Sequence, residues 1–124
     1  MVEFEIPAPP PRSADAYLRL IPRTEMDIAV AGVGVSLPVI DGICTAARVA
    51  IGAVAPTARL VPDAAHALVG TDLNEQALVA AGEACKAAAS PISDKRGTAE
   101  YRKKVVAVLC RRAIALAHQR IQGA

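Results

Sequence analysis

Apolar and polar residues alternate through the first half of the chain, and then the period changes. Residues 2–6 place Val2, Phe4 and Ile6 on one face and Glu3 and Glu5 on the other, which predicts a short strand. Pro7, Pro9, Pro10 and Pro11 follow at once. Prolines cannot continue a ladder, so a stiff linker is expected there. Residues 16–21 predict a second strand, ended by Pro22. Residues 28–37 predict a long third strand whose clean apolar face is Ala29, Ala31, Val33, Val35 and Leu37, with Gly32, Gly34 and Ser36 on the other face. Asp41-Gly42 supplies the two residues of positive φ that a tight hairpin turn requires. Residues 44–54 return as the partner strand, with Ala47, Val49, Ile51 and Ala53 facing one way and Arg48 the other.

After Pro56 the apolar spacing lengthens to helical period. Pro62-Asp63 opens a short helix over 63–69, closed by Gly70. Thr71 or Asp72 caps a second helix that runs to about residue 89, with Glu75 in its first turn. Its apolar stripe is Leu78, Ala81, Cys85 and Ala88, with Ala77 and Ala84 beside it. Gly97-Thr98 begins a third helix, to about residue 121, that turns Tyr101, Val105, Leu109, Ile114 and Leu116 toward the core. Strands come first and helices after. The predicted class is α+β: a three-stranded antiparallel sheet, the hairpin 28–54 plus strand 16–21, covered by about three C-terminal helices.

A chain of 124 residues fits one domain. Its apolar fraction of 53% is ample, but 27 residues are Ala and only Phe4, Tyr17 and Tyr101 are aromatic. Small side chains bury little area each. Packing must then come from close approach of helices and sheet, or from a partner that covers part of the domain. The net charge of +2 is too small to imply nucleic acid or membrane binding. Eight Lys or Arg lie between Lys95 and Arg120 against the single Glu100. They spread around the helix without interleaved aromatics, which favours a solvated face, then a protein contact, over nucleic acid. No apolar run is long enough for a transmembrane helix and no signal peptide is visible, so the expected location is cytoplasmic. Cys44, Cys85 and Cys110 are odd in number and far apart, with no CxxC pair and no metal-ligand spacing. They read as small buried hydrophobes.

Candidate chemistry is sparse. Gly32-x-Gly34 lacks a third glycine and a following helix, so it reads as close backbone approach and not as a phosphate loop. His66 and His118 have no nucleophile at a suggestive spacing and read as surface or half-buried histidines. The run Arg23-Thr24-Glu25-Met26-Asp27 crowds charge at the mouth of the long strand. Glu25 and Asp27 beside Arg23 suit ion pairs that fix a loop better than an acid/base pair.

That run sits inside a longer stretch, Ala16-Tyr17-Leu18-Arg19-Leu20-Ile21-Pro22-Arg23-Thr24-Glu25-Met26-Asp27-Ile28-Ala29, which resembles the start of the C-terminal domain of the flavoprotein subunit of molybdenum hydroxylases. This is the xanthine dehydrogenase and carbon monoxide dehydrogenase family. Three more blocks agree in order: residues 44–57 with the second hairpin strand and its exit, Asp94-Lys95-Arg96-Gly97-Thr98-Ala99-Glu100-Tyr101-Arg102 with the lead into the last helix, and Val108-Leu109-x-x-Arg112-Ala113 with that helix's body. Together they cover about residues 14–118.

The resemblance implies an antiparallel sheet with helices, and membership of an enzyme in which electrons pass from a molybdenum cofactor through iron–sulfur clusters to FAD. It implies that Arg19 is a basic residue near the flavin and that the loop from Arg23 to Asp27 lies along the flavin side, which makes Arg19, Arg23 and Asp27 the candidate cofactor-binding residues. A cation there would stabilise the negative charge that flavin reduction brings. The implied partners are FAD-binding N-terminal domains and the iron–sulfur and molybdopterin subunits. The glycine-rich flavin cradle of those domains is absent from these residues, so residues 1–13 are expected to be the end strand and linker of a missing FAD-binding domain, and 14–124 the C-terminal domain. The chain would then be a fragment or one piece of a split subunit, neither binding FAD stably nor catalysing alone. Where the family often has a second proline after Pro56-Thr57, this chain has Ala58. The alternative is a stand-alone interaction or homodimerisation module built on the basic last helix.

Overall fold

The computed structural model describes residues 2–23 and 27–123. Five strands and three helices follow one another: β1 (Ser13–Leu20), β2 (Ala31–Ile40), β3 (Ile43–Cys44), β4 (Arg48–Gly52), β5 (Arg59–Leu60), α1 (Pro62–Leu68), α2 (Glu75–Ala88) and α3 (Ala99–Gln122). The class is α+β, as the periodicity requires. The sheet is antiparallel in the order β1-β2-β4-β5, and β3 extends the β2 hairpin. It has two short strands beyond the three expected.

Three chain segments depart from the sequence reading. Residues 2–10 carry no regular structure, and Val2, Phe4 and Ile6 are exposed. Alternation alone does not make a strand: among the described residues, no neighbouring strand offers them a ladder. The long strand starts at Ala31 and not at residue 28, because the Ile28 amide is taken by the Asp27 side chain and the Val30 carbonyl by Arg102. The return strand is not continuous over 44–54; it pairs as β3, breaks at 45–47, and resumes as β4.

The Asp41-Gly42 turn forms as predicted, with φ of 53° and 79° between the partners Ile40 and Ile43. In β2, Ala31, Val33, Val35, Leu37 and Val39 all face the core. In β4, Val49 and Ile51 join them. The helices cover only this face: α3 lies on β1 and β2, α1 on β4, and α2 packs against both α1 and α3.

The helix starts follow from their caps. α2 is capped by Asn74, whose side chain accepts from the Ala77 amide at 2.9 Å, and not by Thr71 or Asp72. Thr71 is occupied: its hydroxyl donates to the Leu68 carbonyl at 2.6 Å and accepts from the Leu73 amide at 3.2 Å. Thr98 caps α3 by accepting from the Tyr101 amide at 3.1 Å. The buried stripe of α3 is Arg102, Val106, Leu109, Cys110, Ala113, Ile114 and Ala117. Tyr101 is exposed, and Val105 and Leu116 are only partly buried, so the predicted stripe was rotated by about one residue.

β1 forms one edge of the sheet. The Val39 amide donates to the Arg12 carbonyl at 3.0 Å, so the even-numbered residues of β1 point their backbone groups at β2. Ser13, Asp15, Tyr17 and Arg19 then present theirs to the free edge. Arg120, near the end of α3, donates to the Asp15 carbonyl at 2.7 Å.

Candidate functional site

The candidate residues fall on two neighbouring features. Arg19 projects from β1 onto the face of the sheet that the helices leave bare, and it is exposed. Tyr17 shares that face and lies across the two glycines of β2; a Cβ on Gly32 would come within 2.9 Å of the Tyr17 hydroxyl. The glycines therefore make room for a side-chain ring of this chain, and not for the second backbone expected to come close there. They do not form an open phosphate cradle.

Arg23 and Asp27 belong to the β1–β2 loop, and there the structure brings charges together. Thr24, Glu25 and Met26, and with them the expectation for Glu25, lie outside the described residues. The Asp27 carboxylate is nearly buried, with 8% of its side chain exposed, against 76% for Arg23. Arg23 Nε and Arg96 Nε each donate to it at 3.4 Å, one to each oxygen. Its Oδ1 also accepts from the Ile28 amide at 2.7 Å. Asp27 is thus an ion-pair residue that fixes the loop, as the charge pattern suggested. Among the described residues, Arg19 makes no hydrogen bond or ion pair with either.

The pairing continues into the α2–α3 connection. Asp94 holds Arg96 through the Arg96 amide, at 2.8 Å, and a longer contact to its guanidinium at 3.7 Å. Its Oδ1 also accepts from Arg102 Nη2 at 2.7 Å. Arg102 is 3% exposed, the one buried charged residue among those described. Its Nη1 donates to the Val30 carbonyl at 3.1 Å, across 72 residues of sequence. Its Nε alone finds no partner. Sequence reasoning missed Arg102 because it counted it with the solvated cations. The available signal was register: Arg102 precedes Val106, Leu109 and Ala113 on one helical face.

Both carboxyls are held below the usual range. For Asp27 the Ile28 amide is the main cause, followed by Arg23 and Arg96. For Asp94 it is the Arg96 amide, then Arg102. A folded pKa below the unfolded value of about 3.9 means that the loop stabilisation is complete above that pH and fades as pH falls through the lower folded value. The amide resonances of Ile28 and Arg96, followed from neutral pH downward, should therefore titrate with midpoints below about 3.9. Midpoints at or above that value would remove the ion-pair account.

A groove of about 560 Å³ opens beside this network, lined among others by Ile28, Ala53, Pro56, Ile92, Arg96 and Arg102. Ile28 and Ile92 are exposed in it. Ala53 has φ of 64°, a left-handed conformation that costs a non-glycine residue about 1 kcal/mol. The Ser90 amide, donating to the Val54 carbonyl at 2.8 Å, ties that turn to the α2–α3 connection.

Other candidates carry no chemistry. His66 is exposed and His118 half-buried, 3.4 Å from Gln122. Cys44, Cys85 and Cys110 are buried and free. Burial pushes the Cys44 thiol up, and the hydrogen bond that the Cys110 thiol donates to Cys85, together with burial, does the same for Cys110. Among the described residues there is no cluster that could hold a metal ion, and no helix long and apolar enough to cross a membrane.

A flavin fits this arrangement at an edge only. Arg19, Arg23 and the partly exposed Arg96 offer cations toward an anionic group, and Ile28 an apolar contact. None of the described glycines builds the nucleotide turn that a pyrophosphate requires.

Comparison with known proteins gives the family of the chain. Residues 16–117 match the family described as the CO dehydrogenase flavoprotein C-terminal domain. The chain is 38% identical, over 99% of its length, to the carbon monoxide dehydrogenase medium chain of Afipia carboxidovorans, and spans 42% of that protein. It is 38% identical, over 74% of its length, to the nicotine 6-hydroxylase medium subunit of Paenarthrobacter nicotinovorans, and spans 32% of it. A reconstituted CO dehydrogenase from Oligotropha carboxidovorans superposes with a TM-score of 0.88 at 38% identity, over 93% of this chain and 40% of that one. The chain therefore spans about two fifths of the medium chains it matches most fully, and it belongs to the CO dehydrogenase flavoprotein C-terminal domain family.

Proposed function

We propose that this chain serves as the C-terminal domain of the FAD-carrying medium subunit of a molybdenum-containing dehydrogenase, supporting flavin binding, subunit packing and electron transfer from iron–sulfur clusters to FAD. The observation that carries the reading is the family match over residues 16–117. In this reading the bare sheet face and the β1–β2 loop form one wall of the flavin site. Arg19 and Arg23 face the flavin as cations. Asp27, already neutralised by two arginines, holds the loop's shape. When bound, FAD would supply the electron-accepting ring; these residues orient its edge and exclude water from it. The partners are the FAD-binding N-terminal domains and the iron–sulfur and molybdopterin subunits, and the site of action is the cytoplasm.

The reading as a stand-alone interaction module is not favoured, since the relatives in which this fold occurs are flavoprotein medium chains. The test is an FAD titration of three samples: this chain, the part of the Afipia carboxidovorans medium chain outside the matched region, and the two mixed. The chain alone should bind no FAD stably. The mixture should bind FAD ~10-fold or more tighter than the other part alone, the size of one good charged contact. A mixture that binds no tighter and never co-sediments sinks the proposal.

A further inference from the structure

We infer that Arg102 is the positioning residue of the flavin-facing loop: from inside α3 its guanidinium fixes the height of the loop through the Val30 carbonyl and its lateral position through Asp94, Arg96 and Asp27. The inference rests on the reading of that loop as a wall of the flavin site.

The geometry has three parts. First, the anchor is rigid. Arg102 lies one turn before Val106 on the buried stripe of a helix whose fully buried residues also include Cys110 and Ile114, so its Cα cannot drift independently of the core. Second, the guanidinium is a planar fork that satisfies two acceptors at a fixed separation. One is a backbone carbonyl at the root of the loop, and the other a carboxylate of the α2–α3 connection. A lysine would present a single point charge and could not span both in one geometry. Third, the chain of contacts does not stop at Asp94. Asp94 fixes the Arg96 backbone at 2.8 Å, and the Arg96 side chain reaches Asp27 at 3.4 Å. Asp27 then holds the Ile28 amide at 2.7 Å. The Val30 amide donates to the Leu20 carbonyl at 2.7 Å, so β1 and α3 grip the loop root from opposite sides.

A buried arginine is an expensive way to fill a core position. Leucine or methionine would pack the same site more cheaply if only burial mattered. The two acceptors explain its presence in α3.

Arg102→Met keeps the apolar stem and deletes the fork. In this variant, hydrogen exchange at the Ile28 and Val30 amides should speed up by ~10-fold or more, with protection in α2 and the middle of α3 unchanged. Arg102→Lys should restore only part of it. Asp94→Ala breaks the same chain of contacts from an exposed position and opens no cavity in the core, so it decides the matter if Arg102→Met does not fold. Unchanged exchange at Ile28 and Val30 in Asp94→Ala overturns the inference. A second readout separates positioning from mere stability. In the mixture with the Afipia carboxidovorans portion, FAD should dissociate ~10-fold more readily from the folded Arg102→Met or Asp94→Ala complex than from the unmodified one. A loosened loop with unaltered FAD affinity overturns the positioning role. If the unmodified chain adds nothing to FAD affinity, the reading beneath it fails, whatever the exchange data give.

Discussion

Ile114→Ala should lower the melting temperature by about 10–20 °C, the counterpart of a loss of about 2–5 kcal/mol in a domain of this size. Two features put it at the top of the range of single substitutions. Ile114 is fully buried on α3, the helix that covers β1 and β2. The core it belongs to is also built mostly from small side chains, alanines such as Ala16, Ala31, Ala113 and Ala117 and valines such as Val33, Val35 and Val106. Among the described residues, only Leu37, Ile51, Leu68 and Ile114 are both long and fully buried. Alanine has no rotamers and valine only a stiff χ1 with which to collapse into a vacated volume, so the cavity persists and its full cost is felt. Domains of this kind are stable by only about 5–15 kcal/mol in total. Thermal unfolding followed by circular dichroism checks the expectation, and a shift below about 5 °C would mean that the sheet and α3 can close over the gap.

Gly82→Val should cost about 1–3 kcal/mol by a different route, through forced separation of two helices. Gly82 is buried in the middle of α2, where a helix interior ordinarily disfavours glycine by about 1 kcal/mol relative to alanine. A Cβ built there would stand 3.0 Å from the Ala107 carbonyl oxygen and 3.3 Å from Arg111 Cγ. The arginine stem can swing away, but the carbonyl belongs to the backbone of α3 and cannot. Gly82→Ala is the informative control. Helix propensity alone predicts stabilisation; the contact with the Ala107 carbonyl predicts a net loss. A urea midpoint that rises in Gly82→Ala would show that α3 can shift by a few tenths of an ångström at no cost.

Much of this architecture is legible in the chain because it depends on local rules. The Asp41-Gly42 turn requires two positive φ values and obtains them from the residues best able to adopt them. The β2 stripe obeys period two from Ala31 to Val39. What was misread depends on distant partners. Ile28-Ala29-Val30 has strand composition, yet the Val30 carbonyl is taken by a guanidinium 72 residues away, and the ladder begins at Ala31. Thr71 looks like a cap, but its hydroxyl already serves the end of α1. In the candidate site, the pairing of Arg23 with Asp27 follows from their spacing on one short loop. Arg96, Asp94 and Arg102 join it only because the sheet and α3 bring the two connections together. A lone cation on an apolar helical stripe was the trace they left.

The bond from Arg120 to the Asp15 carbonyl bears on how such a domain meets its neighbours. β1 is the long outer strand, and its odd-numbered backbone groups would otherwise stand as a template for any extended chain. A side chain from the last turn of α3 sits across that template. An incoming strand would have to displace a charged donor before its first rung could form. Association by strand addition is thus hindered at this border, which leaves the side chains of the open face, and not the backbone of β1, as the accessible surface there. On this side, the sheet ends where the helix reaches over it.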